Sequence, residues 1–230
     1  MRKNKKTYII LSEKSWNQDL VDKLSKKNGN TNWVIINNRL DFNITNLESI
    51  SPVKIFIPHW SYIISEEIFQ KFECVVFHMT DLPFGRGGSP LQNLIVLGKE
   101  KTKISALKVV EELDAGPIYL KKDLSLHGTA KEIFVRANSI IELMIIEIIE
   151  KDLNPIEQMG DVVYFKRRKP KDSNIFYLKD LKSIYDYIRM LDADGYPNAF
   201  IENDFFKFEF FNASLKKGEE IKAEIRIIKK

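Results

Sequence analysis

The sequence predicts an α/β fold with a mostly parallel sheet, followed by a small antiparallel β appendage. In the first half, short apolar runs alternate with amphipathic segments, which is typical of a parallel sheet that helices cover on both faces. After about residue 175 the pattern changes, and residues 221–228 alternate apolar and polar side chains. We therefore expect a main domain over residues 1–174 and a small helix-plus-β subdomain over residues 175–230.

The first part of the chain contains four predicted strands and two predicted helices. The strands are short apolar runs at 8–11, 33–36, 53–57 and 74–77. The helices, at 15–24 and 65–72, carry apolar residues at helical spacing. Because ligands bind beyond the carboxyl ends of the strands in such sheets, the residues directly after each strand are the first candidates for a site.

The second part begins with a glycine-rich loop at 84–88. Ser89, Pro90 and Gln92 then predict a helix start with a capping box, and Thr129 with Glu132 predicts a second capping box. The second box opens a long apolar helix that ends near residue 151. The remaining predicted elements are strands at 103–110, 117–124, 162–167, 199–201, 205–211 and 221–228, and a helix at 178–190.

The composition restricts the possible partners and compartment. Lys and Arg exceed Asp and Glu by 36 − 32 = +4, and the two short basic stretches, 2–6 and 166–171, are interpreted as a solvated terminus and a solvated strand end. We therefore expect no nucleic-acid partner. The single cysteine, Cys74, is predicted to be a core residue rather than a nucleophile. No apolar run reaches the length of a signal peptide's apolar segment or a membrane span, so we expect a cytoplasmic protein without a membrane partner.

Two polar residues stand where such a sheet places its ligands. His78 follows the fourth strand, and Asp114 lies between the strands at 103–110 and 117–124. Together they can form a proton-handling pair, although a buried core histidine and an ordinary turn aspartate remain alternatives. His59 is either a packing residue or part of a pocket rim, and His127 is predicted to lie in a loop. The three histidines lack metal-ligand spacing, and no phosphate-binding glycine motif occurs.

Around these residues the sequence resembles the folate-dependent formyltransferase family. Members share a strand that ends in Asn-x-His-x-Ser-x-Leu-Pro, then Arg-Gly and Pro-x-Gln, and further on Asp-x-Gly-Pro-Ile. The corresponding segments here are Val76-Phe77-His78-Met79-Thr80-Asp81-Leu82-Pro83, Arg86-Gly87, Pro90-Leu91-Gln92 and Asp114-Ala115-Gly116-Pro117-Ile118. The likeness extends from about residue 50 to 201.

The resemblance implies a Rossmann-like formyltransferase domain with 10-formyltetrahydrofolate as the formyl donor. His78 would stabilise the developing oxyanion or move a proton, and Asp114 would orient and charge His78 or help to deprotonate the amine. The folate pocket would be lined by Trp60, Ser61, Tyr62, Ile63, Glu111, Glu112 and Leu113. The acceptor would face Thr80, Asp81, Arg86, Gly87, Gly88 and Ser89.

One position departs from the family pattern. The family's Asn, which donates a hydrogen bond to the oxyanion, is Val76 here, and loss of such a donor costs about 3 kcal/mol. We expect Asn93 to replace it, because Asn93 has no duty in the predicted capping box. Asp81 is an added carboxylate that either binds the acceptor or forms an ion pair with Arg86, and we favour the ion pair.

The acceptor is the least constrained part of the interpretation. The balanced charge after residue 175 weakens a tRNA acceptor, and Val76 with the β appendage weakens glycinamide ribonucleotide. We therefore expect the acceptor to be a nucleotide-linked amino sugar from a glycan pathway, such as one of the pseudaminic-acid type. Three alternatives remain open: another amine acceptor, namely methionyl-tRNA or glycinamide ribonucleotide; water as the acceptor; or a folate- or sugar-nucleotide-binding module without catalysis. The aromatic tail, Phe205, Phe206, Phe208, Phe210 and Phe211, packs on the main domain or forms a homodimer.

Overall fold

The computed structural model describes residues 5–14, 17–27, 30–216 and 218–230. Eleven strands and six α-helices are described in this part of the chain. In chain order they are β1 (Lys6–Ser12), α1 (Asn17–Lys27), β2 (Thr31–Ile36), α2 (Ile44–Ile50), β3 (Lys54–His59), α3 (Glu66–Lys71), β4 (Cys74–His78), β5 (Phe84–Gly87), α4 (Pro90–Val96), β6 (Lys101–Lys108), β7 (Ile118–Ser125), α5 (Ala130–Glu150), β8 (Val163–Phe165), α6 (Leu181–Arg189), β9 (Ala199–Glu202), β10 (Phe206–Lys216) and β11 (Glu220–Lys229).

These residues form two compact units. The first takes its described residues from 1–86, 103–124 and 137–164, and the second from 87–102, 125–136 and 165–230. The predicted boundary between residues 174 and 175 lies inside the second unit. The division into domains 1–174 and 175–230 stays a prediction.

The first unit is built on a six-stranded sheet with the order β2-β1-β3-β4-β6-β7. Strands β1 to β4 are parallel, whereas β6 runs antiparallel to β4. Consecutive residues such as Ile9, Ile10 and Leu11 are fully buried, as expected for strands covered on both faces. The predicted Rossmann-like α/β fold with a mostly parallel sheet is confirmed.

The pairing of β4 with β6 places the two candidate residues. His78, the last residue of β4, pairs with Ser105, whereas Lys108, the last residue of β6, pairs with Val75 near the start of β4. The chain therefore leaves β6 at the end of β4 that lies away from His78. Residues 109–117 must turn back along β4 before Asp114 can reach the histidine.

Several local expectations need correction. The glycine-rich loop contains a strand, β5, which pairs with β8, and α2 was not predicted. The prediction of a capping box at Ser89 is wrong. Ser89 has φ 52°, and its Oγ accepts from the backbone N–H of Arg168. The Gln92 side chain donates to the carbonyl of Met190. The capping box of Thr129 and Glu132 is present. Residues 2–4 of the predicted basic terminus, and residues 15 and 16 of the first predicted helix, lie outside the described residues.

The second unit contains the predicted antiparallel appendage. Strand β10 pairs antiparallel with β9 on one side and with β11 on the other, so this part of the fold is confirmed. Phe205 and Phe206 of the aromatic tail are exposed, and the phenylalanines at 208, 210 and 211 are half-buried. The homodimer stays a prediction.

Two findings bear on the expectations drawn from composition. Cys74 is buried in the core of the first unit, and burial, followed by the nearby charge of Glu73, raises the pKa of its thiol to about 12. Within the described ranges, every helix is too short or too polar to cross a membrane.

A buried arginine holds the second unit together around α6. The Arg189 guanidinium donates to Asp186 at 2.6 Å and to the carbonyls of Leu126 and Gly128 at 2.7 and 2.9 Å. Because a buried carbonyl without its partner is costly, these contacts fix the 125–128 segment to α6.

We predict that Arg189→Met lowers the free energy of unfolding by about 3 kcal/mol, because it leaves buried oxygens without donors. The thermal midpoint should fall by about 10 °C, as measured by circular dichroism. The control is Lys182→Met, which removes the exposed partner of the same Asp186 and should change stability by less than about 1 kcal/mol. Equal effects of the two substitutions would contradict the assignment.

Candidate active site

His78 is buried at the carboxyl end of β4, with an oxygen opposite each ring nitrogen. Its Nε2 lies 2.8 Å from the carbonyl oxygen of Gly85, and its Nδ1 lies 3.5 Å from Oδ2 of Asp114. An imidazole ring protonated on both nitrogens would donate to both oxygens. The structure therefore brings together the two residues that the sequence singled out.

Asp114 reaches His78 through an unusual backbone conformation. Its φ is 55°, in the left-handed region that side-chain-bearing residues seldom adopt. Two residues later, a Cβ on Gly116 would lie 1.8 Å from the carbonyl oxygen of Lys108. Only glycine allows this close approach, so the turn of Asp-Ala-Gly is required by packing as well as by chemistry.

The loop after His78 is held by hydroxyl groups. Thr80, which is fully buried, donates to the Gly85 carbonyl at 3.3 Å, and Ser105 of β6 donates to the Thr80 carbonyl at 2.7 Å. Val76, where the family has Asn, packs on the hydrophobic core. Contact of Thr80 with an acceptor stays a prediction, and its described hydroxyl contact is with the loop itself.

Asp81 and Arg86 have different partners from those predicted. Asp81 pairs with Lys121 at 2.6 Å and with Lys103 at 3.0 Å, so the predicted ion pair between Asp81 and Arg86 is wrong. Burial by itself would raise the pKa of Asp81, but the hydrogen bonds from Lys121 and Lys103 outweigh it and lower the pKa. The pair of lysines comes from β6 and β7, which lie side by side in the sheet.

Arg86 is buried and contacts the Asp114 loop instead. Its Nη1 donates to Glu112 at 3.0 Å, and its Nε and Nη2 donate to the Gln158 side-chain oxygen at 3.2 and 2.9 Å. Glu112 also accepts from the hydroxyl of Tyr164 at 2.6 Å. The predicted acceptor role of Arg86 and the predicted folate role of Glu112 stay predictions, and the two residues form one ion pair.

The remaining predicted acceptor residues belong to the second unit, where they pack against residues 165–168. The Gly88 backbone N–H donates to the carbonyl of Phe165, and Ser89 accepts from the backbone of Arg168 at 3.1 Å. Cβ atoms added to Gly87 and Gly88 would approach Phe165 and Arg167 to 2.5 Å. This close packing explains the two glycines.

Asn93, the predicted oxyanion donor, also contacts this segment. Its side-chain nitrogen donates to the carbonyls of Gly88 at 2.9 Å and Lys166 at 3.0 Å. Because a carboxamide has two N–H groups, a catalytic donation would require one of these bonds to be exchanged. The oxyanion role of Asn93 stays a prediction.

The segments predicted to line the folate pocket expose apolar and aromatic surface. Trp60 forms edge contacts with Phe42 and Tyr62, and the Arg39 guanidinium lies 4.4 Å from the Tyr62 ring centre. Ile63 is 88% exposed and Leu113 is 58% exposed, while Ser61 and Glu111 are also exposed. The assignment of these residues to a folate pocket stays a prediction.

Three residues of the site were missed from the sequence. Lys103 and Lys121 lie on two predicted strands. A prediction that these strands lie side by side would have brought both lysines towards Asp81. Gln158 lies in a polar connection, and its partners at 86, 114 and 116 are distant in sequence. No local pattern could have identified it. Among the described residues, no cluster of His, Cys, Asp and Glu could hold a metal ion.

His59 ends β3, opposite Ser12 in the register with β1. Burial, and then the charge of Lys14, lowers the pKa of His59 to about 4. Both alternatives for this histidine, a packing residue and part of a pocket rim, stay predictions.

Comparison with known proteins gives two strong matches to one description. Residues 170–228 match the family described as methionyl-tRNA formyltransferase, C-terminal domain. The solved methionyl-tRNA formyltransferase from Clostridium thermocellum is 51% identical, with a TM-score of 0.95 over 98% of this chain and 100% of that one.

A curated relative has the same description, and a more distant solved structure shares the fold. Methionyl-tRNA formyltransferase of Thermotoga sp. (strain RQ2) is 31% identical over 183 residues, which are 76% of this chain and 58% of that protein. The chain thus spans little more than half the length of this curated relative. HypX from Aquifex aeolicus in complex with tetrahydrofolic acid has a TM-score of 0.74 and 18% identity over 91% of this chain and 38% of that one, a likeness of fold.

These findings overturn the expected acceptor. The nucleotide-linked amino sugar, the glycan pathway and the absence of a nucleic-acid partner were predicted, and these predictions are wrong. The similar proteins at 51% and 31% identity are named for methionyl-tRNA. The physical reason for the error is that overall charge balance after residue 175 was used to judge RNA binding, whereas binding depends on local groups.

We predict that the pH dependence of stability contains a contribution from His59. A pKa of about 4 in the folded state, against 6.5 for a free histidine, means that the unfolded chain takes up the proton first. Stability from this group is therefore full above pH 6.5 and is lost as pH falls towards 4, by about 2–3 kcal/mol.

Urea unfolding of the wild type and of His59→Gln at pH 7.5 and pH 4.5 tests this. The substitution removes the titrating group, so the loss between the two pH values should be smaller by about 2–3 kcal/mol. His127→Gln at an exposed position serves as the control and should show the wild-type loss. An unchanged loss in His59→Gln would refute the shift.

Proposed function

Because the chain belongs to the formyltransferase family, we propose that it transfers a formyl group from 10-formyltetrahydrofolate to the amino group of methionyl-tRNA. The observation that carries this proposal is the likeness, over nearly the whole chain, to a solved methionyl-tRNA formyltransferase at 51% identity. Members of this family use a formyl derivative of tetrahydrofolate as the formyl donor. Since aminoacylated tRNA is made in the cytoplasm, we also propose a cytoplasmic location.

The chemistry of the proposed reaction needs groups that His78 and Asp114 can supply. When bound, the donor supplies an electrophilic formyl carbon. The amine that adds to the formyl carbon places negative charge on oxygen and must lose a proton. The bond between the formyl carbon and the folate nitrogen then breaks, and that nitrogen takes up a proton. A His78 N–H can stabilise that charge or return a proton, while the Asp114 carboxylate, 3.5 Å from Nδ1, can orient the ring or accept the amine proton.

A tRNA acceptor requires contacts to phosphate, and the second unit offers a compact basic segment. Residues 166–171 contain Lys166, Arg167, Arg168, Lys169 and Lys171, of which all but Arg168 are exposed. The same segment packs against Gly88 and Ser89, which the family resemblance assigns to the acceptor side. We propose that this basic segment, rather than the charge-balanced strands after it, binds the tRNA backbone.

We predict that His78→Ala lowers kcat for formylation of methionyl-tRNA by about 10²-fold or more, because it removes the oxyanion donor or proton carrier. The assay is mass spectrometry of the aminoacyl-adenosine released by nuclease, after incubation with 10-formyltetrahydrofolate and methionyl-tRNA. His127→Ala, at an exposed loop position, is the matched control and should retain wild-type kcat. Wild-type protein that forms no formylmethionyl product would overturn the proposed function.

We also predict that the double substitution Lys166→Ala and Lys169→Ala raises KM for methionyl-tRNA and leaves kcat near the wild-type value. The loss of two phosphate contacts should reduce the slope of log KM against log salt by about 2. Lys182→Ala, an exposed lysine on α6, is the control. An unchanged salt slope in the double variant would place the tRNA contacts elsewhere.

A further inference from the structure

Gln158 lies in a connection between α5 and β8 that contacts both catalytic loops. Ile156 exchanges two backbone hydrogen bonds with Ile118, just after the Asp114 loop, at 2.7 and 2.9 Å. Val163 donates to the carbonyl of Pro83, in the loop that follows His78, at 3.3 Å. The connection is thus attached at both ends, with Gln158 between the attachments.

The Gln158 carboxamide is fully used within the first unit. Its nitrogen donates to the carbonyls of Asp114 and Gly116, both at 2.8 Å. Its oxygen accepts from Nε and Nη2 of Arg86. A carboxamide has two donors and two acceptor positions, so every bond that this side chain can make is made at the edge of the Asp114 loop.

The Asp114 loop has a physical need for such a clamp. The chain turns back from Lys108, and Asp114 adopts a left-handed φ of 55°, a conformation that persists only where surrounding contacts hold it. Two N–H groups on one planar amide fix the carbonyls on both sides of Ala115. They therefore define the direction in which the Asp114 side chain leaves the backbone.

Arg86 extends this hold to the other side of the loop. The guanidinium that donates to Gln158 also donates to Glu112 at 3.0 Å, two residues before Asp114. The contacts thus run from Glu112 through Arg86 and Gln158 to Asp114 and Gly116. Displacement of Asp114 would break several of these bonds together.

We infer that Gln158 is a positioning residue, which acts on the reaction by holding the Asp114 carboxylate against His78. It touches neither the donor nor the acceptor in this role. The inference rests on the proposed function for its kinetic consequence, whereas its structural consequence, the placement of Asp114, can be measured without the reaction.

The kinetic test uses Gln158→Glu, which keeps the size of the side chain and an oxygen for Arg86 but replaces the donating nitrogen with an oxygen. We expect kcat to fall about 10- to 100-fold, as for small misplacements of catalytic groups, with KM for both substrates within about threefold. The matched control, Glu157→Gln, makes the reverse exchange at the exposed neighbouring position and should leave kcat unchanged. If Gln158→Glu does not fold, Gln158→Met removes the same donors without adding charge.

A double-mutant cycle separates positioning from a general structural role. Asp114→Asn preserves the shape of the side chain and tolerates the left-handed backbone. If Gln158 acts through the carboxylate, Gln158→Glu should lower kcat by less than about threefold in the Asp114→Asn background. A full additional loss of kcat in that background would overturn the inference, as would a wild-type kcat for Gln158→Glu.

A spectroscopic measurement tests the placement of Asp114 directly. The chain contains three histidines, so selective ¹⁵N-histidine labelling gives a small set of ring signals, which His78→Gln assigns. The Nδ1 signal of His78 should move in Gln158→Glu in the same direction as in Asp114→Asn, while the signal of His127 stays fixed. An unmoved His78 signal would refute positioning. A wild-type protein inactive on methionyl-tRNA would refute the proposed function and leave this result standing.

Discussion

The antiparallel pairing of β6 with β4 is the constraint on which the candidate site depends. It places Lys108 beside Val75, so the residues that follow β6 begin at the end of β4 opposite to His78. The left-handed φ of Asp114 and the contact between Gly116 and the Lys108 carbonyl follow from the need to turn back. A parallel strand at this position would have delivered its following residues directly to the histidine.

Backbone groups form many of the contacts of the candidate site. The carbonyl of Gly85 lies against His78, and Gly116, which has no side chain, allows its backbone to approach the Lys108 carbonyl closely. Polar side chains such as Thr80 and Ser105 bind neighbouring carbonyls and hold the loops in place. The groups free for chemistry are therefore few, and their positions are set by many bonds that take no part in it.

The sequence was sufficient where the physical signal is local. Apolar runs located β1, β3 and β4 within one or two residues, and alternation located β11. His78 was found because residues that follow a buried strand lie where ligands bind, Asp114 was found between two predicted strands, and the motif resemblance supported both. The sequence was insufficient where a contact joins residues that are distant along the chain. Asp81 pairs with lysines from β6 and β7 instead of Arg86, and no local pattern identified Gln158. The acceptor was misjudged because the charge balance was judged from the residues after 175, whereas the basic stretch at 166–171 was interpreted as a solvated strand end.

Cys74 gives the molecule a practical property. It is the single cysteine of the sequence and is buried in the hydrophobic core, and burial raises the pKa of its thiol to about 12. Maleimides and iodoacetamides react with exposed thiolates, so the native chain presents no reactive target to them. A cysteine introduced on an exposed loop would accept a fluorophore or spin label at one site, without removal of the natural residue and without disturbance of β4.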